Sequence, residues 1–196
     1  MIDDPCRRRL MQASLAILPS LLALGEAGGA LAGDASPAVG QGPEHDFDRF
    51  FGSWTVQHRR LKTRLAGKND WEDYDGATSW RPLLGGIANC NDSITHRAGA
   101  SYRTLGLRAC DPKTGAWADW SLDARDPLKI DPPGIGRFEL GVGVFLSDET
   151  FDGKPIRVRG QFSTLSPTVS QWDQAFSPDG GQTWETNYVM RYTRTA

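Results

Sequence analysis

Residues suited to metal or redox chemistry are scarce in this sequence, which has three histidines and three cysteines among 196 residues. His45, His58 and His96 are dispersed, and none has a second histidine or a carboxylate at the spacing typical of a zinc site. The chain also lacks a Gly-x-Ser-x-Gly elbow, a phosphate-binding loop and a dinucleotide fingerprint. We therefore expect no metal site and no cofactor.

Neither sign of charge dominates, because 22 lysines and arginines stand against 24 aspartates and glutamates. The clustered basic surface that nucleic-acid binding requires is missing, so we expect no nucleic-acid partner. Long apolar runs are missing too. The run Leu10–Leu24 is shorter than the roughly 20 residues of a membrane-spanning helix and contains Pro19, so we expect no stable membrane insertion. The sequence leaves the oligomeric state open.

That apolar run fits a signal peptide instead. It follows the basic residues Arg7–Arg9 and precedes Ala30–Ala32, which fits the small-residue rule for cleavage. We predict that residues 1–32 form a cleaved signal peptide and that the chain is a bacterial protein, periplasmic or secreted. The paired arginines resemble a twin-arginine signal, with the general secretory route as the alternative.

Short strand-like segments separated by turn signals follow a lead-in, residues 33–44, that is rich in Gly, Pro and Ala. Residues 45–196 form one domain with about nine or ten such strands in sequential order, after a short helical turn at Asp46–Phe51. A flat sheet of this many strands would leave a long exposed edge, which closure removes. We predict an all-β fold, an up-and-down antiparallel β-barrel, in preference to a sandwich.

The cysteines of the exported chain form an even pair, because signal cleavage would remove Cys6 and leave Cys90 and Cys110. An oxidising compartment favours a disulfide between them. If Arg97–Ser101 is the turn of a hairpin, both cysteines lie ten residues from Ala100 and face each other within bridging range. We predict this disulfide, with two buried free thiols as the alternative.

A Gly-x-Trp motif, Gly52-Ser53-Trp54, stands at the start of the first strand, directly after the helical turn. It resembles the first signature of lipocalins and the wider calycin barrels. The resemblance implies that Trp54 closes one end of the barrel and that a basic residue of the last strand packs over its ring. Arg191 is the residue that we expect there, since a guanidinium over an indole face gains roughly 1 kcal/mol.

A wider set of motifs resembles a bacterial family that is classified only as a domain of unknown function. The matching segments are His45–Asp48, Gly52–Trp54, His58–Leu61, Leu84–Gly86, Phe151–Arg157 and Gln174–Ser177. The likeness covers residues 44–194 and implies a lipocalin-like barrel, but it implies no activity and no catalytic residues. The cysteine pair is not part of the family pattern.

The segment Ser177–Trp184 matches the Ser-x-Asp-x-Gly-x-Thr-Trp pattern of the Asp-box hairpin, which occurs in sialidases and in many unrelated β proteins. In such a turn the Asp and Ser side chains cap backbone amides, and Gly supplies a positive φ. We predict a structural role for this single copy and no glycosidase activity.

The first strand carries polar residues on the face that we expect to point inward. If Trp54 points into the barrel, Val56, His58 and Arg60 do so as well. An imidazole and a guanidinium are costly to bury without partners, and they suit a cavity that receives a polar or anionic ligand group. The alternative is that His58 and Arg60 are simply solvated near the mouth of the barrel.

Aromatic and amide side chains on other strands complete the candidate ligand site: Trp80, Trp120, Trp172, Gln174 and Asn187. An aromatic interior with a few polar groups is typical of a small-molecule pocket. The same pattern fits an ordinary filled core, which is the simpler interpretation for most of the tryptophans. Buried amides such as Gln174 and Asn187 are more informative, because they demand hydrogen-bond partners.

These observations predict a small-molecule binding protein whose ligand is largely apolar, with a polar or anionic end at His58 and Arg60. The alternative is a cyclase- or isomerase-type enzyme that uses His58 as acid or base and Arg60 to stabilise negative charge. A structural or interaction protein with a filled barrel is the third hypothesis.

Overall fold

The computed structural model describes residues 42–195. The predicted signal peptide, Cys6 and most of the predicted lead-in lie outside the described residues. No helix within residues 42–195 is long and apolar enough to cross a membrane.

Ten antiparallel strands form a closed barrel, in which each strand pairs with its neighbours in sequence and the last pairs with the first. The strands are β1 (Gly52–Leu61), β2 (Trp71–Leu83), β3 (Ala88–Arg97), β4 (Ala100–Asp111), β5 (Ala116–Asp123), β6 (Gly134–Glu139), β7 (Val142–Phe151), β8 (Lys154–Ser166), β9 (Val169–Ser177) and β10 (Glu185–Arg194). Two short 3-10 turns, Pro43–His45 and Asp48–Phe50, precede β1, and a third, Leu84–Gly86, joins β2 to β3. The predicted all-β barrel with a short N-terminal helical turn is confirmed.

Side chains alternate between the interior and the exterior, as the pleat of a strand requires. On β1, Trp54, Val56 and His58 are buried, and the residues between them are exposed. On β2, Gly76 and Trp80 are buried in the same way. Residues that pair with these inward positions on the neighbouring strands also face the interior.

An aromatic cluster fills the end of the barrel at which the chain enters β1. Its buried aromatic members are Phe47, Phe50, Trp54, Trp80, Trp117, Phe145, Phe162 and Tyr192. Phe47 is fully buried and meets the Trp117 and Phe162 rings edge to face, with centroids 4.8 and 5.1 Å away. Edge-to-face pairs of this kind stabilise a core beyond the area that they bury. The segment that precedes β1 therefore closes this end of the barrel.

The arginine that covers Trp54 comes from the last residue of β10. Trp54 donates a hydrogen bond from Nε1 to the carbonyl oxygen of Phe50 at 2.7 Å, and Arg194 Cζ lies 4.1 Å from the centre of its ring. The expectation that Arg191 would fill this role is corrected. Arg191 is exposed and pairs with Gln57 on the outer face, because it lies an odd number of residues from the inward-facing Arg194.

Cys90 and Cys110 are both free and buried, which corrects the predicted disulfide. The β3–β4 hairpin turns at Ala98-Gly99 rather than around Ala100, so Cys90 stands opposite Leu107 and not opposite Cys110. The offset of three residues is odd, so the two side chains point to opposite faces of the sheet. Cys110 belongs to the aromatic cluster, whereas Cys90 lies on the outer face beneath the Arg81 side chain.

Candidate ligand-binding cavity

A cavity of about 350 Å³ occupies the part of the barrel beside the aromatic cluster and shares Phe162 and Tyr192 with it. It reaches the surface near Arg125, whose side chain is 59% exposed. β5 pairs with β6 only from Trp117 to Asp119, so the end of β5 has a partner strand on its β4 side but none on its β6 side. The volume is at the lower end of the range typical of small-molecule pockets.

The two walls of the cavity differ in chemistry. The wall from β3 to β5 is polar and carries Asn91, Ser93, Thr95, Thr104, Asp119 and Ser121. The wall from β8 to β10 is mainly aromatic and carries Phe162, Trp172, Tyr188, Met190 and Tyr192. A molecule with one polar and one apolar face therefore matches the lining better than a uniformly apolar one.

Hydrogen bonds within the polar wall fix several of its side chains. Asn91 Nδ2 donates to Ser93 Oγ at 2.9 Å and to Thr78 Oγ1 at 3.2 Å. Ser93 Oγ donates to Thr78 Oγ1 at 2.7 Å. Because Asn91 and Ser93 bond to each other and to Thr78 on the neighbouring β2, they form a rigid surface.

Arg108 is the central charged residue of this wall and is not among the ligand-site residues predicted from sequence. Its Nη1 and Nη2 atoms donate to Asn89 Oδ1 at 3.2 Å and to Asn91 Oδ1 at 2.7 Å. Its Cζ lies 4.2 Å from the centre of the Trp80 ring, and its Nε lies 3.0 Å from Asp119 Oδ1. Burial lowers the pKa of Arg108 and raises that of Asp119, while the attraction between the two charges opposes both shifts.

The alternation of side chains along β4 and β5 is the sequence feature that indicates this pair. Arg108 alternates with Gly106 and Thr104 on β4, and these residues pair across the sheet with the inward positions of β3. On β5 the residue predicted for the ligand site is Trp120, whereas its neighbour in sequence, Asp119, is the residue that pairs with Arg108. Cross-strand pairing alone shows which of two phases points inward.

His58 lies in the cavity wall between two tyrosines and is 4% exposed. Its Nδ1 atom is 2.7 Å from the Tyr188 hydroxyl, and its ring stacks on Tyr74 with centroids 4.8 Å apart. Burial lowers the pKa of His58 to about 4, although the charge of Asp75 opposes the shift. The imidazole is therefore neutral at pH 7. Its Nε2 atom faces Gly76 and has no hydrogen-bond partner among the described residues.

Arg60 lies one inward position further along β1 and is half-buried. Its Cζ is 5.3 Å from the centre of the Tyr188 ring. Within residues 42–195 no carboxylate forms a salt bridge with it, because Glu72, which stands opposite it on β2, pairs with Arg97. At the rim of the cavity, by contrast, the charge of Arg125 is compensated by Asp123, since Arg125 Nε donates to Asp123 Oδ1 at 2.9 Å.

The structure brings five of the seven predicted ligand-site residues to the cavity: His58, Arg60, Trp120, Trp172 and Gln174. Trp120 borders it from the strand position that alternates with Asp119. Trp80 instead lies beneath Arg108 in the aromatic cluster. Asn187 is fully buried at a β-bulge of β10, where its Nδ2 donates to the Glu185 carbonyl oxygen at 3.4 Å. These two residues therefore do not line the cavity.

The part of the chain that the structure describes contains no group of three or more His, Cys, Asp or Glu residues that could hold a metal ion. Several ionisable and hydrogen-bonding side chains line the cavity. They comprise paired and unpaired arginines, a neutral imidazole, tyrosine hydroxyls and one carboxylate at the inner wall.

Comparisons with known proteins bear on the fold. No family model matches the chain, and no curated protein matches it in sequence. The structure of the S-type phycobiliprotein lyase CPES from Guillardia theta is similar with a TM-score of 0.54 and 11% identity, over 80% of this chain and 94% of that one. The structure of Rv2717c from M. tuberculosis is similar with a TM-score of 0.53 and 12% identity, over 83% of this chain and 100% of that one. At these identities the likeness shows the fold alone, a closed antiparallel barrel.

Proposed function

We propose that this protein binds a small amphipathic molecule in the barrel cavity, with an anionic end of the ligand at Arg60. The observation that carries the proposal is Arg60, an arginine without a salt bridge among the described residues, beside a cavity of about 350 Å³ that has one polar and one mainly aromatic wall. A filled barrel would contain no such space. This cavity makes a purely structural role the weaker hypothesis.

The preference for an anion follows from the balance of charge in the lining. Arg108 is paired with Asp119, and Arg125 is paired with Asp123. His58 is neutral at pH 7 because burial lowers its pKa to about 4. Arg60 is left as the unbalanced cation, half-buried where attraction to an anion is stronger than in bulk water.

The polar wall modifies the ligand class expected from sequence. A largely apolar ligand would displace water from those polar groups of β3–β5 whose hydrogen-bonding capacity is not met within the protein, which costs free energy. A ligand with hydrogen-bonding groups along one face avoids this cost. Its other face packs on Phe162, Trp172 and Met190.

Binding is tested by thermal unfolding of the purified protein with a panel of aromatic carboxylates, fatty acids and isoprenoid acids. A ligand at 100 times its Kd should stabilise the fold by about 2.7 kcal/mol. We expect anionic aromatic members to raise the melting temperature most. Unchanged melting with every member would overturn the proposal.

Arg60→Gln and Arg59→Gln form a matched pair for the position of the anion. Both residues lie on β1, but Arg59 is exposed on the outer face, with its Cζ 5.1 Å from the centre of the Trp71 ring. Loss of a charge-assisted hydrogen bond should weaken binding of the anionic ligands about tenfold in Arg60→Gln. Arg59→Gln should bind as the wild type does. Equal affinities in the two variants would remove Arg60 from the site.

An enzymatic role is the second candidate, and the 2.7 Å contact between His58 and Tyr188 favours it. Two ionisable groups in hydrogen-bond contact can move a proton to or from a bound molecule. The test is incubation of each bound ligand with the wild type and with His58→Gln and Tyr188→Phe. Conversion by the wild type alone, with binding retained in the variants, would establish catalysis. Recovery of unchanged ligand from all three proteins would leave binding as the function.

Export remains part of the proposal. It is supported by the basic residues, the apolar run and the Ala30–Ala32 cleavage site of the sequence. Expression of the full chain in a bacterium and N-terminal sequencing of the mature protein would test it. We expect the mature chain to begin at Gly33 in the periplasm or medium, and a cytoplasmic protein that begins at Met1 would contradict it.

A further inference from the structure

The inner wall of the cavity contains a largely buried ion pair. Arg108 and Asp119 face each other across β4 and β5, with Nε 3.0 Å from Oδ1. The Arg108 side chain is 6% exposed and the Asp119 side chain is 21% exposed. Asp119 is one of the residues that line the cavity, so its side chain is accessible to a molecule bound there.

The guanidinium is held by neighbouring side chains of the barrel. Asn89 and Asn91 accept two of its hydrogen bonds, and the Trp80 ring lies against it. No hydrogen bond from residues 42–195 reaches Asp119 Oδ2. A carboxylate accepts several hydrogen bonds, so Asp119 presents a free acceptor to whatever occupies the cavity.

The charge of the pair restricts the group that this acceptor can receive. A ligand carboxylate would be repelled by Asp119. An ammonium would gain little, because Arg108 already compensates the negative charge at 3.0 Å and would repel a second cation. A neutral O–H or N–H donor meets neither obstacle and satisfies the free oxygen.

We propose that Asp119 accepts a hydrogen bond from a neutral O–H or N–H group at the inner end of an aromatic acid whose carboxylate lies at Arg60. The inference rests on the proposed binding function and names its ligand class. The aromatic ring of the ligand packs on the wall that contains Phe162 and Trp172. Asp119 selects the inner group, and Arg60 selects the outer one.

Matched pairs of compounds test this inference in the wild-type protein. The probes are 4-hydroxycinnamate against 4-methoxycinnamate, and 6-hydroxy-2-naphthoate against 6-methoxy-2-naphthoate, titrated at pH 7 by isothermal calorimetry. Each methoxy compound retains the ring and the carboxylate but has no hydrogen to donate. We expect each hydroxy compound to bind about tenfold more tightly than its partner.

Asp119→Asn tests whether the discrimination comes from this side chain. The positive charge of Arg108, 3.0 Å from Oδ1, favours the amide oxygen on its own side, which turns the amide NH₂ into the cavity. A donor then replaces the acceptor, so the affinities of each pair should become equal within about twofold. The control is Asp92→Asn, which alters an Asp–Arg pair on the outer face, where Arg103 Nη2 lies 2.7 Å from Oδ2. This control should keep the preference for the hydroxy compounds.

The outcomes separate this inference from the proposed function. If no probe and no other member of the ligand panel binds, the binding function itself fails. If the acids bind in an Arg60-dependent way but with equal affinity within each pair, the inference about Asp119 fails and the binding function stands. If Asp119→Asn does not fold, as circular dichroism would show, the wild-type pairs alone decide. A preference that persists in folded Asp119→Asn would overturn the role of Asp119.

Discussion

His58 is a buried base that the barrel keeps without charge. The Tyr188 hydroxyl bonds to its Nδ1 atom, and Tyr74 covers one face of its ring. Burial lowers the pKa from 6.5 to about 4, so the folded protein binds this proton less readily than the unfolded chain does.

This difference predicts a loss of stability in mild acid. Above pH 6.5 both states leave His58 neutral, and below that value the unfolded chain takes up the proton first. The free energy of unfolding should therefore fall by up to about 3 kcal/mol between pH 6.5 and pH 4. Urea unfolding of the wild type and of His58→Gln should show this component only in the wild type. His96→Gln, a change at an exposed histidine, should leave the wild-type pH dependence intact.

Gly76 provides the space in which the His58 ring lies. A Cβ atom at residue 76 would overlap the Ile94 carbonyl oxygen and lie 2.8 Å from His58 Nε2. Gly76→Ala should destabilise the fold by about 1–3 kcal/mol, as overpacking of a core does. In Gly134→Ala the new Cβ would make only ordinary contacts, the nearest at 3.6 Å, so its stability should stay within about 0.5 kcal/mol of the wild type. Equal unfolding midpoints for the two variants would contradict the tight fit.

At the scale of elements, the turn between β9 and β10 has the hydrogen bonds that its Asp-box pattern predicts. Asp179 accepts from the Thr183 amide at 2.9 Å, the Gln182 amide at 3.0 Å and the Ser177 hydroxyl at 2.7 Å. The Trp184 indole donates to the Gly181 carbonyl oxygen at 3.0 Å and so holds the end of the turn. These bonds are local, which explains why a sequence pattern alone predicts them.

The hydrogen bonds of this turn hold the pKa of Asp179 well below its usual range, the Thr183 hydroxyl and amide contributing most. The stability that they supply is complete above pH 3.8 and is lost as pH falls through the lower folded-state pKa. Asp179→Ala should lower the melting temperature by a few degrees at pH 7. Its stability should also depend less on pH in strong acid than that of the wild type. Asp148→Ala, at an exposed aspartate, should melt as the wild type does.

The β3–β4 hairpin shows where reasoning from spacing fails. Symmetry about Ala100 made a Cys90–Cys110 pair reasonable, but the tight turn at Ala98-Gly99 moves the register by an odd number of residues. A strand changes face with every residue, so an error of this kind reverses the direction of the side chain. Spacing within one strand is more robust: that Trp54, Val56 and His58 share one face follows from β1 alone.

At the scale of the whole molecule, Arg194 joins the end of the chain to the segment that precedes β1. Its Nη1 and Nη2 atoms donate to the carbonyl oxygens of Phe51 and Arg49, each at 2.7 Å. Its guanidinium also covers the Trp54 ring. The same residue therefore seals the end of the barrel and supports the closure between β1 and β10.

Closure makes Arg194 more important than the other arginine of the last strand. Arg194→Ala removes two charge-assisted hydrogen bonds and a cation–π contact, and it should cost about 2 kcal/mol of unfolding free energy. Arg191→Ala removes an exposed side chain and should change stability by less than about 0.5 kcal/mol. Denaturant unfolding of both variants measures the difference, and a larger loss in Arg191→Ala would contradict this account.

The class of fold, the strand that carries His58 and Arg60, and the Asp-box turn can all be predicted from the amino-acid sequence. These features depend on alternation and turn chemistry within a few neighbouring residues, where hydrophobic pattern and backbone preference act directly. The pairing of Arg108 with Asp119, the cover of Arg194 over Trp54 and the separation of Cys90 from Cys110 are seen only in the folded barrel. Each of these depends on register between strands, which closure of the whole barrel sets and no single segment encodes.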